Sequence, residues 1–214
     1  MRTWILSYPR SGNSFARYLI ELVTNRPTID DMAKKIVSRE QAPMLHNTGE
    51  PIAYKRHDTW KIKPEDRIVF LLRNPKECLV RHNKGKRELN KEFYLKQMSN
   101  EDGTYCGLLN FYDKHKGDKM LIYYEDLIIR PIFETRRLTD FFNGDESKYQ
   151  DMVENANKHI SEALNRYPKS QTKGKGAINH SKELSRWTKI ALDNLIKKHQ
   201  PQLWNKYLDR YETI

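Results

Sequence analysis

The sequence predicts an α/β protein: three layers, α/β/α, around a central parallel sheet, with a P-loop-like turn after the first strand and a helical C-terminal third. Three observations lead there. Short apolar runs alternate with stretches of helical period, the pattern of βα units and a parallel sheet. The run Arg67-Ile-Val-Phe-Leu-Leu is almost wholly apolar, as a strand covered on both faces must be. A cluster of Ser, Gly and Asn stands where the first strand meets the first helix, the place where such folds bind anions.

Residues 3–7 read as the first strand. Phe15, Leu19, Ile20, Leu22 and Val23 then form one apolar stripe of an amphipathic helix. Further strands are expected at 51–55, 67–72 and 120–123, and a further helix at 132–142. Residues 147–211 carry no strand signal and read as helical. They are interrupted at 169–177 by a basic, glycine-containing run expected to be a flexible loop. A chain of 214 residues is long enough for one buried core and short for two, so residues 1–214 are expected to form one domain.

Lys and Arg number 39 against 28 Asp and Glu, a net charge of +11 that favours an anionic partner: a nucleotide, a nucleic acid, an acidic glycan or a membrane face. No run reaches the roughly 20 apolar residues that span a bilayer. Residues 4–7 read as a strand rather than part of a signal peptide. A cytoplasmic protein without a membrane anchor is therefore expected. Cys78 and Cys106 have neither the spacing nor the His neighbours of a metal site, and two buried thiols in a reducing compartment are expected.

The segment Tyr8-Pro-Arg-Ser-Gly-Asn-Ser-Phe15 has the makings of an anion cradle. Gly12 permits a tight turn, Ser11, Asn13 and Ser14 offer donors, and Arg10 adds a full charge beside the N–H groups of the helix start. An ordinary capped helix is the competing explanation. No Gly-Lys-Ser/Thr follows, so this is not a P-loop of the GxxxxGK[ST] kind. Arg73 ends a strand where a guanidinium grips phosphate well, and Pro75 starts the next helix. His57, on a loop after another strand, titrates near neutrality and is a candidate base, though most loop histidines are polar surface.

Taken in order, these strings resemble the sulfotransferases that use 3′-phosphoadenosine 5′-phosphosulfate (PAPS). Tyr8 to Phe15 is similar to their 5′-phosphosulfate loop, YPKSGTTW, with Arg10 in place of the catalytic Lys and Phe15 where an aromatic stacks on adenine. Arg is a planar fork and Lys a point charge, so leaving-group stabilisation here has a different geometry. Arg67 to Glu77 resembles the 3′-phosphate segment, which implies a phosphate contact for Arg73. Eight residues on the family has a Ser; here Arg81 either replaces that contact or points elsewhere. Tyr54-Lys-Arg-His-Asp58 resembles the family's Lys-Thr-His, implying His57 as general base and Lys55 at the transferring group. Met120 to Leu127 resembles the strand ending in Tyr-Glu-Asp-Leu, whose tyrosine reaches adenine, so Tyr124 takes that role. Lys173-Gly-Lys-Gly-Ala-Ile-Asn-His180 is similar in composition to a late Arg-Lys-Gly segment that closes over the 3′-phosphate. Its register is ambiguous; Lys173, Gly174 and Lys175 are the candidates there, and a solvated linker is the alternative.

The resemblance implies in-line transfer of a sulfuryl group from PAPS to a hydroxyl or amine, leaving 3′-phosphoadenosine 5′-phosphate (PAP). His57 would take the acceptor proton while Arg10 and Lys55 neutralise developing charge. No carboxylate cluster suggests Mg²⁺, and metal-independent turnover is expected. The acceptor, a small molecule or a glycan, has no signature in residues 24–50 or 84–118; Tyr94, Tyr105, Phe111 and Tyr112 either line an aromatic pocket or fill the core, and the core is the expectation. Two alternatives remain at this level: a nucleotide-binding, kinase-like protein, and a basic noncatalytic module for nucleic acid or glycan, with nucleic acid not the expected partner.

Overall fold

The computed structural model describes residues 1–31, 45, 47–82, 91–166 and 184–213. Five strands, β1 (Thr3–Ser7), β2 (Thr28–Asp30), β3 (Ala53–Arg56), β4 (Arg67–Leu72) and β5 (Lys119–Tyr123), form one sheet in the order β2-β3-β1-β4-β5. Every pairing is parallel, with Leu6 opposite both Arg56 of β3 and Phe70 of β4. β1 and β4 are apolar on both sides because each side meets its own helical layer. Leu6, Ile68, Phe70 and Leu72 pack into one core with Leu79, Leu108 and Trp204. Ile5, Val69 and Leu71 pack into the other with Leu19, Leu138 and Phe142.

The second core holds α1 (Asn13–Thr24), α6 (Pro131–Phe142), α7 (Glu146–Glu154) and α8 (Ala156–Arg166). On the opposite face lie α2 (Pro75–His82), α3 (Lys91–Gln97), α4 (Tyr105–Lys114) and α9 (Arg186–His199). The short α5 (Tyr124–Ile129) joins β5 to α6. The chain ends in a helical turn at Pro201–Leu203, a π turn at Trp204–Leu208 and a 3₁₀ turn at Asp209–Tyr211. The expected α/β/α sandwich is thus present. No helix of the described residues is long and apolar enough to cross a membrane.

Three boundaries differ from expectation. β2 was not anticipated, since three edge residues carry too little apolar pattern. It is held instead by polar contacts: the buried Glu21 of α1 accepts from the amide of Thr28 at 3.0 Å, and Arg17 donates to the Thr28 carbonyl at 2.9 Å. β3 begins at Ala53 and runs on to Arg56, one residue further than expected. β5 begins at Lys119, one residue early. The expected flexible run at 169–177 lies outside the described residues. Tyr94, Tyr105 and Tyr112 are core residues and Phe111 packs against them, while Cys78 and Cys106 are buried free thiols.

The loop after β1 leads to a helix on one face of the sheet and the loop after β4 to a helix on the other. Between them the C-terminal strand ends open into a crevice, as at any switch point of a parallel sheet. The start of α2 is pinned from the far side. Lys76, 3% exposed, donates to Asp193 of α9 at 2.6 Å and to Thr213 at 3.1 Å, and it also reaches the Tyr211 carbonyl. Burial lowers the Lys76 pKa, and Asp193 opposes that shift. Removing the carboxylate would strand a buried ammonium, so Asp193→Ala is expected to cost about 3–5 kcal/mol. Urea unfolding checks this; a loss below about 1 kcal/mol would mean that the pair is not a structural pin.

Candidate functional site

The loop from Tyr8 to Gly12 turns sharply at the C-terminal end of β1 because two residues take left-handed conformations, Arg10 at φ 73° and Gly12 at φ 93°. Gly12 is needed for a second reason: a β-carbon there would lie 2.2 Å from Cδ2 of Tyr124. α1 begins at once, and no side chain caps its first turn. The competing explanation of an ordinary capped helix therefore does not hold. Its leading N–H groups, with the positive end of the helix dipole, face the crevice. Ser11 is 1% exposed and its hydroxyl lies 3.4 Å from the Cys78 thiol, so it is directed inward.

Arg73 follows β4 beside this loop, 4% exposed. One guanidinium nitrogen donates to the Arg10 carbonyl at 3.0 Å, and the group lies 4.2 Å from the centroid of the Tyr124 ring. The nearest carboxylate contact is loose, 3.9 Å to Glu77, and the buried Nε has no hydrogen-bond partner. The Tyr124 ring thus lies against both Gly12 and the Arg73 guanidinium. Arg81, half-buried near the end of α2, completes the group. Burial, then Arg73 and Arg10, hold its proton affinity below the ordinary arginine range. Among the described residues no carboxylate pairs with Arg10 or Arg81.

On the other side of β1, His57 follows β3. Its Nδ1 lies 2.6 Å from the carbonyl oxygen of Ser7 and 3.4 Å from the Ser7 hydroxyl. An Nδ1–H donating to that carbonyl leaves the ring's lone pair at Nε2. Burial, then the charge of Lys55, lower the His57 pKa from 6.5 to about 4. Lys55 itself is bonded to Asp30 of β2 at 2.8 Å. Asn13 donates to the Ser7 hydroxyl at 2.6 Å, joining the start of α1 to the histidine, and its own Oδ1 is buried without a partner.

The structure therefore brings Arg10, Gly12, Asn13, Arg73, Arg81 and Tyr124 to one crevice, with Lys55 and His57 at its β3 side; Ser14 lies in the first turn of α1. Phe15 goes elsewhere as placed: it is 4% exposed in the core around α1, so an adenine would meet its ring only after the ring turned outward. Lys173, Gly174 and Lys175 lie outside the described residues. Three participants were missed: Ser7, Asp30 and Glu125, which accepts the amide of Asn74 at 3.0 Å. Ser7 and Asp30 each end a strand, a signal of place but not of partner.

A sequence model of the family described as "Sulfotransferase domain" matches residues 1–213. The chain belongs to this family. Membership decides against the kinase-like alternative. Sulfotransferase 4A1 of Mus musculus and that of Rattus norvegicus are each 21% identical to it over 192 residues, covering 76% of this chain and 67% of theirs. In three dimensions it is similar to mouse sulfotransferase SULT7A1, solved in complex with PAP, with a TM-score of 0.67 at 17% identity over 98% of this chain and 87% of that one. Retinol dehydratase, solved with androsterone and inactive cofactor PAP, superposes with a TM-score of 0.59 at 14% identity over 94% of this chain and 82% of its own. At these identities the solved structures establish the sulfotransferase fold.

The low His57 pKa has a consequence for stability. An unfolded imidazole protonates below pH 6.5, whereas the folded one resists until about pH 4. The contribution is complete above pH 6.5 and is lost as pH falls through that window, because the unfolded chain binds the extra proton. Thermal melts of His57→Phe should lose less stability between pH 6.5 and 4 than the wild type. Parallel curves would place the imidazole in solvent.

Proposed function

We propose that the protein transfers a sulfuryl group from PAPS to the hydroxyl, or amine, of an acceptor. The observation that carries this reading is the buried Arg73, with its partnerless Nε, stacked on Tyr124 beside an uncapped helix start. A buried cation of this kind calls for an anion. Two anionic subsites follow the sheet: the α1 start with Arg10 and Asn13 for the 5′-phosphosulfate, and Arg73 with Arg81 for the 3′-phosphate. Tyr124, lying between them, is placed for the adenosine. Complexes of PAP with SULT7A1 and with retinol dehydratase support the same choice of co-substrate.

In the proposed step the acceptor oxygen attacks sulfur as the bond to the bridging phosphate oxygen breaks. Nε2 of His57 takes the acceptor proton, and PAP leaves with the bonding pair. Arg10 and Lys55 offset charge on the leaving oxygen and the sulfuryl oxygens. Lys55 gains freedom to do so only by loosening its bond to Asp30. The negative charge of bound PAPS opposes Lys55 and raises the His57 pKa from about 4 towards neutrality, where a base works best. No metal is called on. Retinol dehydratase was solved with androsterone and with retinol, which favours a small-molecule acceptor over a glycan; a cytoplasmic setting suits such an acceptor.

Calorimetry with nucleotides tests the co-substrate. PAP should bind far more tightly than AMP, which lacks the 3′-phosphate, and Arg73→Ala should lose about 2–3 kcal/mol of PAP binding. Arg81→Ser should be milder. Equal affinity for PAP and AMP would remove the 3′-phosphate subsite, and an unchanged Arg73→Ala would remove Arg73 from it.

Single-turnover transfer from bound PAPS, measured with an acceptor found by screening, tests the base. His57→Ala should slow transfer by about 10²–10⁴ while PAP affinity is retained. Because bound PAPS raises the His57 pKa, the wild-type rate from that complex should show an acid limb nearer neutrality than the free protein's pKa of about 4. Near wild-type transfer by His57→Ala would assign the proton to another group, with the neighbouring His82 the next to examine.

A further inference from the structure

The last four described residues, Arg210 to Thr213, tie together the segments that follow β4 and β5 and carry Arg73 and Tyr124. Tyr211 is 7% exposed and its hydroxyl donates to Glu125 at 2.6 Å. The other oxygen of Glu125 accepts the Asn74 amide at 3.0 Å. Asn74 follows Arg73 and Glu125 follows Tyr124, so this carboxylate links the residues next to the stacked pair. Around it, Arg210 makes two bonds to Asp126, at 2.9 and 2.8 Å, and the Thr213 amide donates to Asp193 at 2.8 Å. Burial and the facing carboxylate push the Tyr211 pKa up, so the phenol stays a donor at any working pH.

Glu125 is an awkward neighbour for a phosphate site. A carboxylate one residue from Tyr124, free to turn, could pair with the guanidinium lying over that ring and compete with the incoming anion. We infer that Tyr211 is a positioning residue that holds the Glu125 carboxylate away from Arg73 and so keeps the site open for its anion. Tyr211 touches no substrate; it acts through Glu125. The inference rests on the PAPS reading above and adds a residue some 138 positions from Arg73 in sequence.

PAP titration by calorimetry of four proteins tests it: wild type, Tyr211→Phe, Glu125→Gln, and the double variant. Tyr211→Phe keeps the buried ring and removes only the hydroxyl. It should weaken PAP binding about tenfold, the scale of one hydrogen bond to a charged group. Glu125→Gln, which keeps an oxygen for Asn74 but carries no charge, should bind at least as tightly as wild type. Most telling is the double variant, which should recover affinity to within about twofold of wild type. A merely structural role for the hydroxyl predicts no recovery, since a second lesion is added to the first. Unchanged affinity in Tyr211→Phe, or a loss that Glu125→Gln does not relieve, overturns the inference while leaving the PAPS reading standing. A wild type that does not bind PAP overturns the co-substrate reading and this inference with it.

Discussion

A guanidinium buried without a matching carboxylate is the constraint around which much of this molecule is arranged. Arg73 is 4% exposed, its Nε is unpartnered, and its closest carboxylate is 3.9 Å away. Desolvating an ion and leaving it poorly paired costs several kcal/mol, so the surrounding fold must supply rigidity from other sources. The carbonyl of Arg10 and the face of Tyr124 provide part of the compensation, as a hydrogen bond and a cation–π contact. The remainder comes from elements that touch no candidate ligand. Lys76 is locked to Asp193, Tyr105 donates to the Arg73 carbonyl at 2.7 Å, and Glu125 bridges Asn74 to Tyr211. The backbone on the C-terminal side of the arginine is thereby held.

Charge in the molecule is divided accordingly. Arg56, buried at the end of β3, is bonded to Asp31 and Asp58, and Lys55 beside it to Asp30. Arg137 pairs with Glu134, and Arg210 with Asp126. The net charge of +11 by itself distinguishes no partner, but among the described residues Arg10 and Arg81, the cations beside Arg73, are not paired in this way. An electrostatic field is useful for binding only where the protein has not already neutralised it. The crevice at the switch point is such a place.

The sequence was most informative where one element explains itself. β1 and β4 are apolar on both faces, α1 follows a Gly-bearing turn, and these three place the crevice; each signal is local. β2 was invisible because its stability comes from Glu21 and Arg17 across the layer and not from its own three residues. Lys76 likewise reads in sequence as a first-turn surface lysine, and only the arrival of α9 and the chain end buries it. Within the site, the residue types of Arg73, Tyr124 and His57 were legible and their surroundings were not. His57 illustrates the gap: near neutrality on composition alone, it is shifted to about 4 by burial and by Lys55. Phe15 shows the reverse, since a motif position can suggest a stacking surface that packing has drawn into the core.

The two sides of the crevice are joined through β1. Ser7 presents its carbonyl to His57 on the β3 side, and three residues later the Arg10 carbonyl accepts from Arg73 on the β4 side. A displacement of this loop by a bound anion would therefore be felt at both the imidazole and the guanidinium. Ser7 ends a central strand paired on its β4 side with Leu71, so its carbonyl is held by the sheet and can orient the ring firmly. Arg10, at a positive φ beyond the strand, lies on the loop between β1 and α1 with its carbonyl tied to Arg73. In the proposed reaction, His57 thus takes its orientation from the end of a central strand and Arg10 takes its own from the loop beyond it.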